Sequence, residues 1–167
     1  MGLSKKIKAF EEQFFKGLKE FNRGIEREAL RSLPTGELSS KAHPNALGSA
    51  LTNSHITTDF SESQLEFVTP YFLKSEETLA RLQEIHSFFY SKEEDEFLWP
   101  SSMPCLLDPK KDIPIADYGT SNLGRLKNIY RVGLKNRYGD RMQAISGLHY
   151  NFSFEEEFWE VLYQLEN

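Results

Sequence analysis

Residues 56–70 read ITTDFSESQLEFVTP. Over residues 64–69 the side chains alternate: Gln64, Glu66 and Val68 fall on one side, Leu65, Phe67 and Thr69 on the other. A period of two marks a half-buried strand. In such a strand Glu66 points away from Leu65 and Phe67, because successive side chains leave opposite faces of the pleat. Asp59 and Glu62 lie just upstream. A carboxylate on the polar face, with Asp59 nearby, offers hard oxygen ligands to a divalent cation. A solvated acid on an amphipathic strand has the same pattern.

Two further segments have strand character. Residues 24–30, GIEREAL, place Glu26 and Glu28 on one face if extended, about 7 Å apart. Like charges so placed repel unless a cation sits between them. The same residue types also favour a helix, and both conformations stay open. Residues 145–154 alternate again, with Leu148, Tyr150, Phe152 and Phe154 opposite Gly147, His149, Asn151 and Ser153. If the three segments pair, one face of the sheet carries Glu26, Glu28, Glu66 and His149, with Asp59 at its edge. Crowded carboxylates are costly without cations, and Mg²⁺ ions carrying nucleotide phosphates would neutralise them. No Walker loop and no Rossmann glycine pattern occurs. A nucleotide site here would be built from metals and arginines.

Helical spacing accounts for most of the rest. Ile7, Phe10, Phe14 and Leu18 predict an amphipathic helix over residues 4–20. Residues 75–90 predict a second, capped by Ser75, with Leu79, Leu82, Ile85, His86 and Phe89 as its apolar stripe. His86 there reads as a hydrogen-bonded residue at the core boundary. Residues 92–96 read as a solvated acidic cluster. Residues 121–138 predict a helix capped by Ser121 and stopped by Gly139, with Leu123, Leu126, Ile129, Tyr130 and Leu134 on its apolar side. Arg125, Lys127, Arg131, Lys135, Arg137 and Arg141 make this region basic, either as a solvated face or as an anion site, since arginine grips carboxylate and phosphate in a bidentate way. Residues 153–156 fit a capping box opening a last helix with Phe158, Trp159 and Leu162 on one face.

Between these elements, residues 32–55 are turn-rich, and His43 and His55, in loop sequence, read as surface histidines, with a ligand role as the alternative. Residues 99–121 hold Pro100, Pro104, Pro109 and Pro114 and cannot form one regular element. Their apolar residues predict an ordered, docked loop, with Cys105 as a buried thiol.

The chain has 167 residues, a net charge of −5 and one cysteine. That is enough for a single cored domain. The net negative charge argues against nucleic acid as a partner, and a single cysteine excludes an internal disulfide. No secretory signal or membrane span is visible, so cytoplasm is the expected compartment.

Several stretches together resemble the proteobacterial-type glutamate–cysteine ligases: GIEREALR, HPNALGSALT, ITTDFSESQLEFVTP, LWPSSMPC, YGTSNLGRLKNIYRVGLKNRYG and MQAISGLHYNFS. They occur in the family's order and cover about Arg23 to Trp159. The resemblance implies an α+β, glutamine-synthetase-like fold, a curved and mainly antiparallel sheet with helices on one face, here incomplete. It implies ATP-dependent joining of the L-glutamate side-chain carboxylate to L-cysteine through a γ-glutamyl phosphate, with Mg²⁺ or Mn²⁺, in glutathione biosynthesis. By the matching motifs, Glu26, Glu28, Asp59, Glu66 and His149 correspond to metal ligands. Phe60, Tyr130, Leu134 and Gln143 correspond to the cysteine pocket, and Arg131 to a group holding a substrate carboxylate or the acyl phosphate. Family members are much longer. Residues 1–167 are therefore expected to be the N-terminal part of the catalytic domain, inactive alone and partnered by the missing C-terminal part. A related ligase with another amine acceptor, or a non-catalytic metal- or nucleotide-binding module, are the alternatives.

Overall fold

Residues 24–30 are extended, and they lie at the centre of the sheet. The computed structural model describes residues 3–17 and 21–166. In order, its elements are α1 (Leu3–Gly17), β1 (Phe21–Ser32), β2 (Ile56–Thr58), β3 (Gln64–Val68), α2 (Ser75–Lys92), β4 (Phe97–Leu98), α3 (Asn122–Tyr138), β5 (Leu148–Phe154) and α4 (Glu156–Glu166). The 12-residue β1 pairs antiparallel with β3, β4 and β5, and β2 extends the sheet from β3. The sequence motif at 56–70 is thus a hairpin of two strands rather than one strand. Its turn is closed by the Asp59 amide donating to the Gln64 carbonyl at 2.9 Å. Tertiary pairing overrides the helix propensity of GIEREAL, because its odd-numbered residues have a core to enter.

That core lies on one face. Ile25 and Ala29 of β1, Leu65 and Phe67 of β3 and Ile56 of β2 pack against Leu82, Ile85 and Phe89 of α2. The Phe67 and Phe89 rings meet edge to face at 6.3 Å. His86 stands where the sequence places it. Its ring meets Phe67 edge-on at 4.9 Å, and it accepts a hydrogen bond from Arg27 Nη1 at 3.1 Å. Burial, and then the neighbouring guanidinium, press its pKa down to about 4, so the imidazole is neutral. One residue of the α2 stripe differs from expectation. Leu79 is exposed and Thr78 is buried in its place, its hydroxyl donating to the Lys74 carbonyl. The cap position is Lys74, without a side-chain cap, and Ser75 is already helical.

The proline-rich loop docks as expected. Cys105 and Ile113 join Leu30 and Ala144 in a second cluster, and Ala116 and Tyr118 join Ala50 in a third. Ser121 caps α3 by accepting from the Gly124 amide, and Gly139, at φ 81°, ends it. The capping box at residues 153–156 is not formed: Ser153 stays in β5, opposite Asn22, and α4 begins at Glu156. The apolar side of α3 is not buried: Leu123, Leu126, Ile129 and Tyr130 are exposed. So are Leu148, Tyr150 and Phe152 of β5. Leu18, the last member of the first stripe, lies outside the described residues. No helix among the described residues is long and apolar enough to cross a membrane.

One part of the acidic cluster at 92–96 is not solvated. Glu96 and Arg31 are both fully buried at the end of β1 and are joined at 2.6 Å. Ser39 Oγ donates to the other Glu96 oxygen. Arg31 also donates to the Lys41 and Glu62 carbonyls, at 2.7 and 3.0 Å. Removing one partner of a buried pair strands the other charge. Glu96→Ala is therefore expected to lower unfolding stability by about 3–5 kcal/mol in urea titrations. The double variant Arg31→Met/Glu96→Leu should lose less than Glu96→Ala alone. A Glu96→Ala chain as stable as the parent would contradict this account.

Candidate active site

The face of the sheet opposite α2 is polar, and the strand register assembles it. Glu28 of β1 lies opposite Glu66 of β3, and Glu26 lies opposite His149 of β5. Glu66 is flanked on its other side by Thr57 of β2. Asp59 follows directly where β2 ends. Four of the five expected metal-site residues thus come from paired positions on three strands, and the fifth from the adjoining turn.

Neutral and cationic donors are interleaved with the acids. His149 Nδ1 donates to Glu26 Oε2 at 3.2 Å, and Asn151 Nδ2 donates to Glu26 Oε1 at 2.9 Å. His149 Nε2 lies 3.8 Å from Glu28 Oε1. Glu28 Oε2 accepts from the Gly147 amide at 2.6 Å and from Gln64 Nε2 at 3.4 Å. A Cβ on Gly147 would sit 3.0 Å from the His149 ring, a tight contact that would press on the imidazole. Asn151 shares the polar face with His149, and Gln64, which the sequence marks only by its alternation with Leu65, lies on the same face.

The acids compete for charge. Burial, then the charges of Asp59, Glu26 and Glu28, raise the Glu66 pKa to about 7. Burial raises Glu28 as well, opposed by the Gly147 amide and reinforced by Asp59. Burial also raises Asp59, with Arg131 opposing. His149 shifts upward, chiefly through its bond to Glu26 and then through the charges of Glu28 and Glu66. Four carboxylates and an imidazole within mutual electrostatic reach are a donor set that suits a hard divalent ion such as Mg²⁺ or Mn²⁺. Among the described residues, however, no three such side chains already converge as a metal cage. Both Glu26 oxygens and one Glu28 oxygen are taken by neighbours. The donor chemistry fits the ion, and the side chains must turn to enclose it.

Arg131 reaches the same region from α3. Its Nε donates to the Asp59 carbonyl at 2.5 Å and its Nη1 to the Lys127 carbonyl at 3.0 Å. The guanidinium lies 4.6 Å from the Tyr118 ring centroid. Asp59 and Arg131 are brought together. The four residues matched to the cysteine pocket lie in different surroundings: Phe60 is buried, Tyr130 is exposed, and Leu134 and Gln143 are half-buried. Two cavities, of about 440 and 250 Å³, are lined by other residues. The remaining charges of the basic segment are partly structural. Lys135 bonds Asp112 at 2.9 Å, and Arg141 donates to the Asp108 carbonyl at 2.7 Å.

Glu62 is turned away from the cluster. Its carboxylate accepts the His43 and Asp117 amides, each at 2.8 Å, and so fastens two loops to the hairpin. His43 and His55 bond main-chain carbonyls of Gly48 and Val68. Both are half-buried and structural rather than purely surface residues.

Comparison with known proteins is specific. The family model for glutamate-cysteine ligase matches residues 7–167. The glutamate–cysteine ligase of Pseudomonas putida is 55% identical over 149 residues, covering 89% of this chain and 28% of the relative. That of Pseudoalteromonas translucida is 53% identical over 145 residues, covering 87% and 28%. A glutamate–cysteine ligase from Francisella tularensis, solved in complex with AMP, superimposes with a TM-score of 0.83 at 41% identity, covering 88% of this chain and 30% of that one. A bifunctional glutathione synthetase from Pasteurella multocida also gives 0.83, at 31% identity, covering 97% and 21%. The chain spans about 28% of the length of the curated relatives it matches.

The raised Glu66 pKa has a definite sign in stability. Between the ordinary value of 4.5 and about 7, the folded chain keeps a proton that the unfolded chain has released. Stability without metal therefore falls as pH rises through that window. Glu66→Gln is expected to raise the melting temperature in EDTA at pH 8 and to leave it nearly unchanged at pH 4. A difference between the two proteins that does not vary with pH would contradict the assignment.

Proposed function

This chain belongs to the glutamate–cysteine ligase family, and on that premise we propose that it supplies the metal-binding face of an ATP-dependent ligase acting in the cytoplasm on L-glutamate and L-cysteine. The observation that carries the reading is the placement of Glu26, Glu28 and Glu66 at paired strand positions on one sheet face, with Asp59 in the adjoining turn; burial raises the pKa values of Glu28, Asp59 and Glu66, and neighbouring carboxylates raise Glu28 and Glu66 further. Such a face is stable when cations are bound and strained when they are not.

In the proposed reaction the glutamate side-chain carboxylate attacks the γ-phosphorus of ATP, forming an acyl phosphate and releasing ADP. The cysteine amine then attacks the acyl carbon and expels inorganic phosphate. Neither step needs an enzyme nucleophile, which suits a buried Cys105. Bound Mg²⁺ or Mn²⁺ would neutralise phosphate charge as it shifts toward the leaving oxygen. Glu26, Glu28, Asp59, Glu66 and His149 are the residues that would hold it. Arg131 is fixed beside Asp59 by two carbonyls and the Tyr118 ring. A cation held rigidly there suits a substrate carboxylate or the acyl phosphate, because a preorganised charge needs no rearrangement as the reaction proceeds. Phe60, Tyr130, Leu134 and Gln143 remain the proposed cysteine-pocket residues.

The chain is expected to bind Mn²⁺ in calorimetric titration, and Asp59→Asn or Glu66→Gln should weaken that binding by about tenfold or more, equivalent to about 1.4 kcal/mol. Absence of Mn²⁺ binding, or binding indifferent to both substitutions, would refute the metal face. In the longer polypeptide the same substitutions should depress glutamate-dependent ADP release. Greater ADP release with another amine than with cysteine would favour a related carboxylate–amine ligase.

A further inference from the structure

Gln64 is fully buried at the first position of β3, on the same face of the sheet as Glu66. Its Nε2 lies 3.4 Å from Glu28 Oε2 and 3.3 Å from both the Ile145 carbonyl and Ser146 Oγ. Its Oε1 has no partner among the described residues. An amide with an orphaned buried oxygen is a poor choice for core stability, since an apolar side chain of similar volume would avoid the penalty. The opposite orientation of the amide would set its oxygen against the Glu28 carboxylate. The observed orientation is the one in which an ionised Glu28 is a partner rather than a neighbour of like polarity.

We propose that Gln64 is a positioning residue for Glu28. With the Gly147 amide it holds Oε2 of Glu28 from within the sheet, so that Oε1 is left to face His149 and an incoming cation. The bracket is built from two directions. Gln64 comes from β3, while Gly147 comes from the segment before β5, which is itself fixed by the Glu28 amide donating to the Gly147 carbonyl at 3.0 Å and the Ser146 amide donating to the Ser102 carbonyl at 2.9 Å. Because the carboxamide is neutral, it orients the acid without adding a fifth negative charge to the face. The use made of Glu28 rests on the metal-face reading, whereas its placement by Gln64 does not.

The test is the Gln64→Leu chain, or Gln64→Met should the leucine variant fail to fold. Two measurements are made: amide hydrogen exchange without metal, and Mn²⁺ titration. Loss of the bracket should speed exchange at Gly147 about tenfold, while core amides such as Ile56 and Phe67 keep their rates. Mn²⁺ affinity should fall about tenfold, with no comparable loss of thermal stability. Unchanged exchange at Gly147 overturns the proposal, and so does unchanged Mn²⁺ affinity in a variant whose parent binds the ion. A parent chain that binds no Mn²⁺ defeats the reading of the site instead, and Gly147 exchange still decides whether Gln64 holds Glu28.

Discussion

The crowding of Glu66 by Asp59, Glu26 and Glu28 is the constraint around which the structure is arranged, and the register shows it most directly in Glu28 and Glu66. They occupy directly opposed positions on neighbouring strands, the placement at which like charges destabilise a sheet most. The pairing survives because the same two strands bury Ile25, Ala29, Leu65 and Phe67 on the reverse face. A one-residue slip in register would exchange the two faces, putting acids under α2 and aromatic rings into water. Hydrophobic burial on one side thus holds the acids together on the other, and no local rearrangement can separate them.

Polar ties complete what the apolar core begins. Arg31 and Glu96 form a dry ion pair that also grips the main chain at Lys41 and Glu62. Glu62 in turn accepts amides from His43 and Asp117. Tyr118 is stacked by Arg131 and Lys127 and donates its hydroxyl to the Thr58 carbonyl at 2.5 Å. These bonds converge on the hairpin turn that carries Asp59. The proline-rich loop, α3 and the sheet are joined there, so Asp59 is set by three parts of the chain at once.

Much of this was legible from side-chain period. Alternation over residues 64–69 separated Glu66 from Leu65 and Phe67, and alternation over 148–154 put His149 and Asn151 on one side. Helix and strand were indistinguishable over GIEREAL, because the deciding factor is the availability of β3 and β5 as partners, which residue types do not encode. The run of acids at residues 92–96 has the local pattern of a solvated segment, while the partner that buries Glu96, Arg31, lies 65 residues earlier. Ser153 carries a capping signal, but the register with Asn22 keeps it in the strand. Leu79 stays out because the buried face of α2 runs through positions 78, 82, 85 and 89, and that helical spacing puts Thr78 rather than Leu79 on it. The turning of Glu62 toward two amides depends on loops that fold back from either side, and nothing in its neighbours announces it.

The polar face also joins distant parts of the chain. Glu26 is 123 residues from His149 and 125 from Asn151, and Glu28 is 119 from Gly147. During synthesis on the ribosome, at roughly 5–20 residues per second, the acids of the first strand therefore emerge several seconds before the imidazole and amides that offset them. Contacts of such long range form late and slowly. Nascent chains of this protein pass through an interval in which β1 and β3 have been made and β5 has not, and the bonds of Glu26 and Glu28 to His149, Asn151 and Gly147 form only once residues 147–151 have been translated.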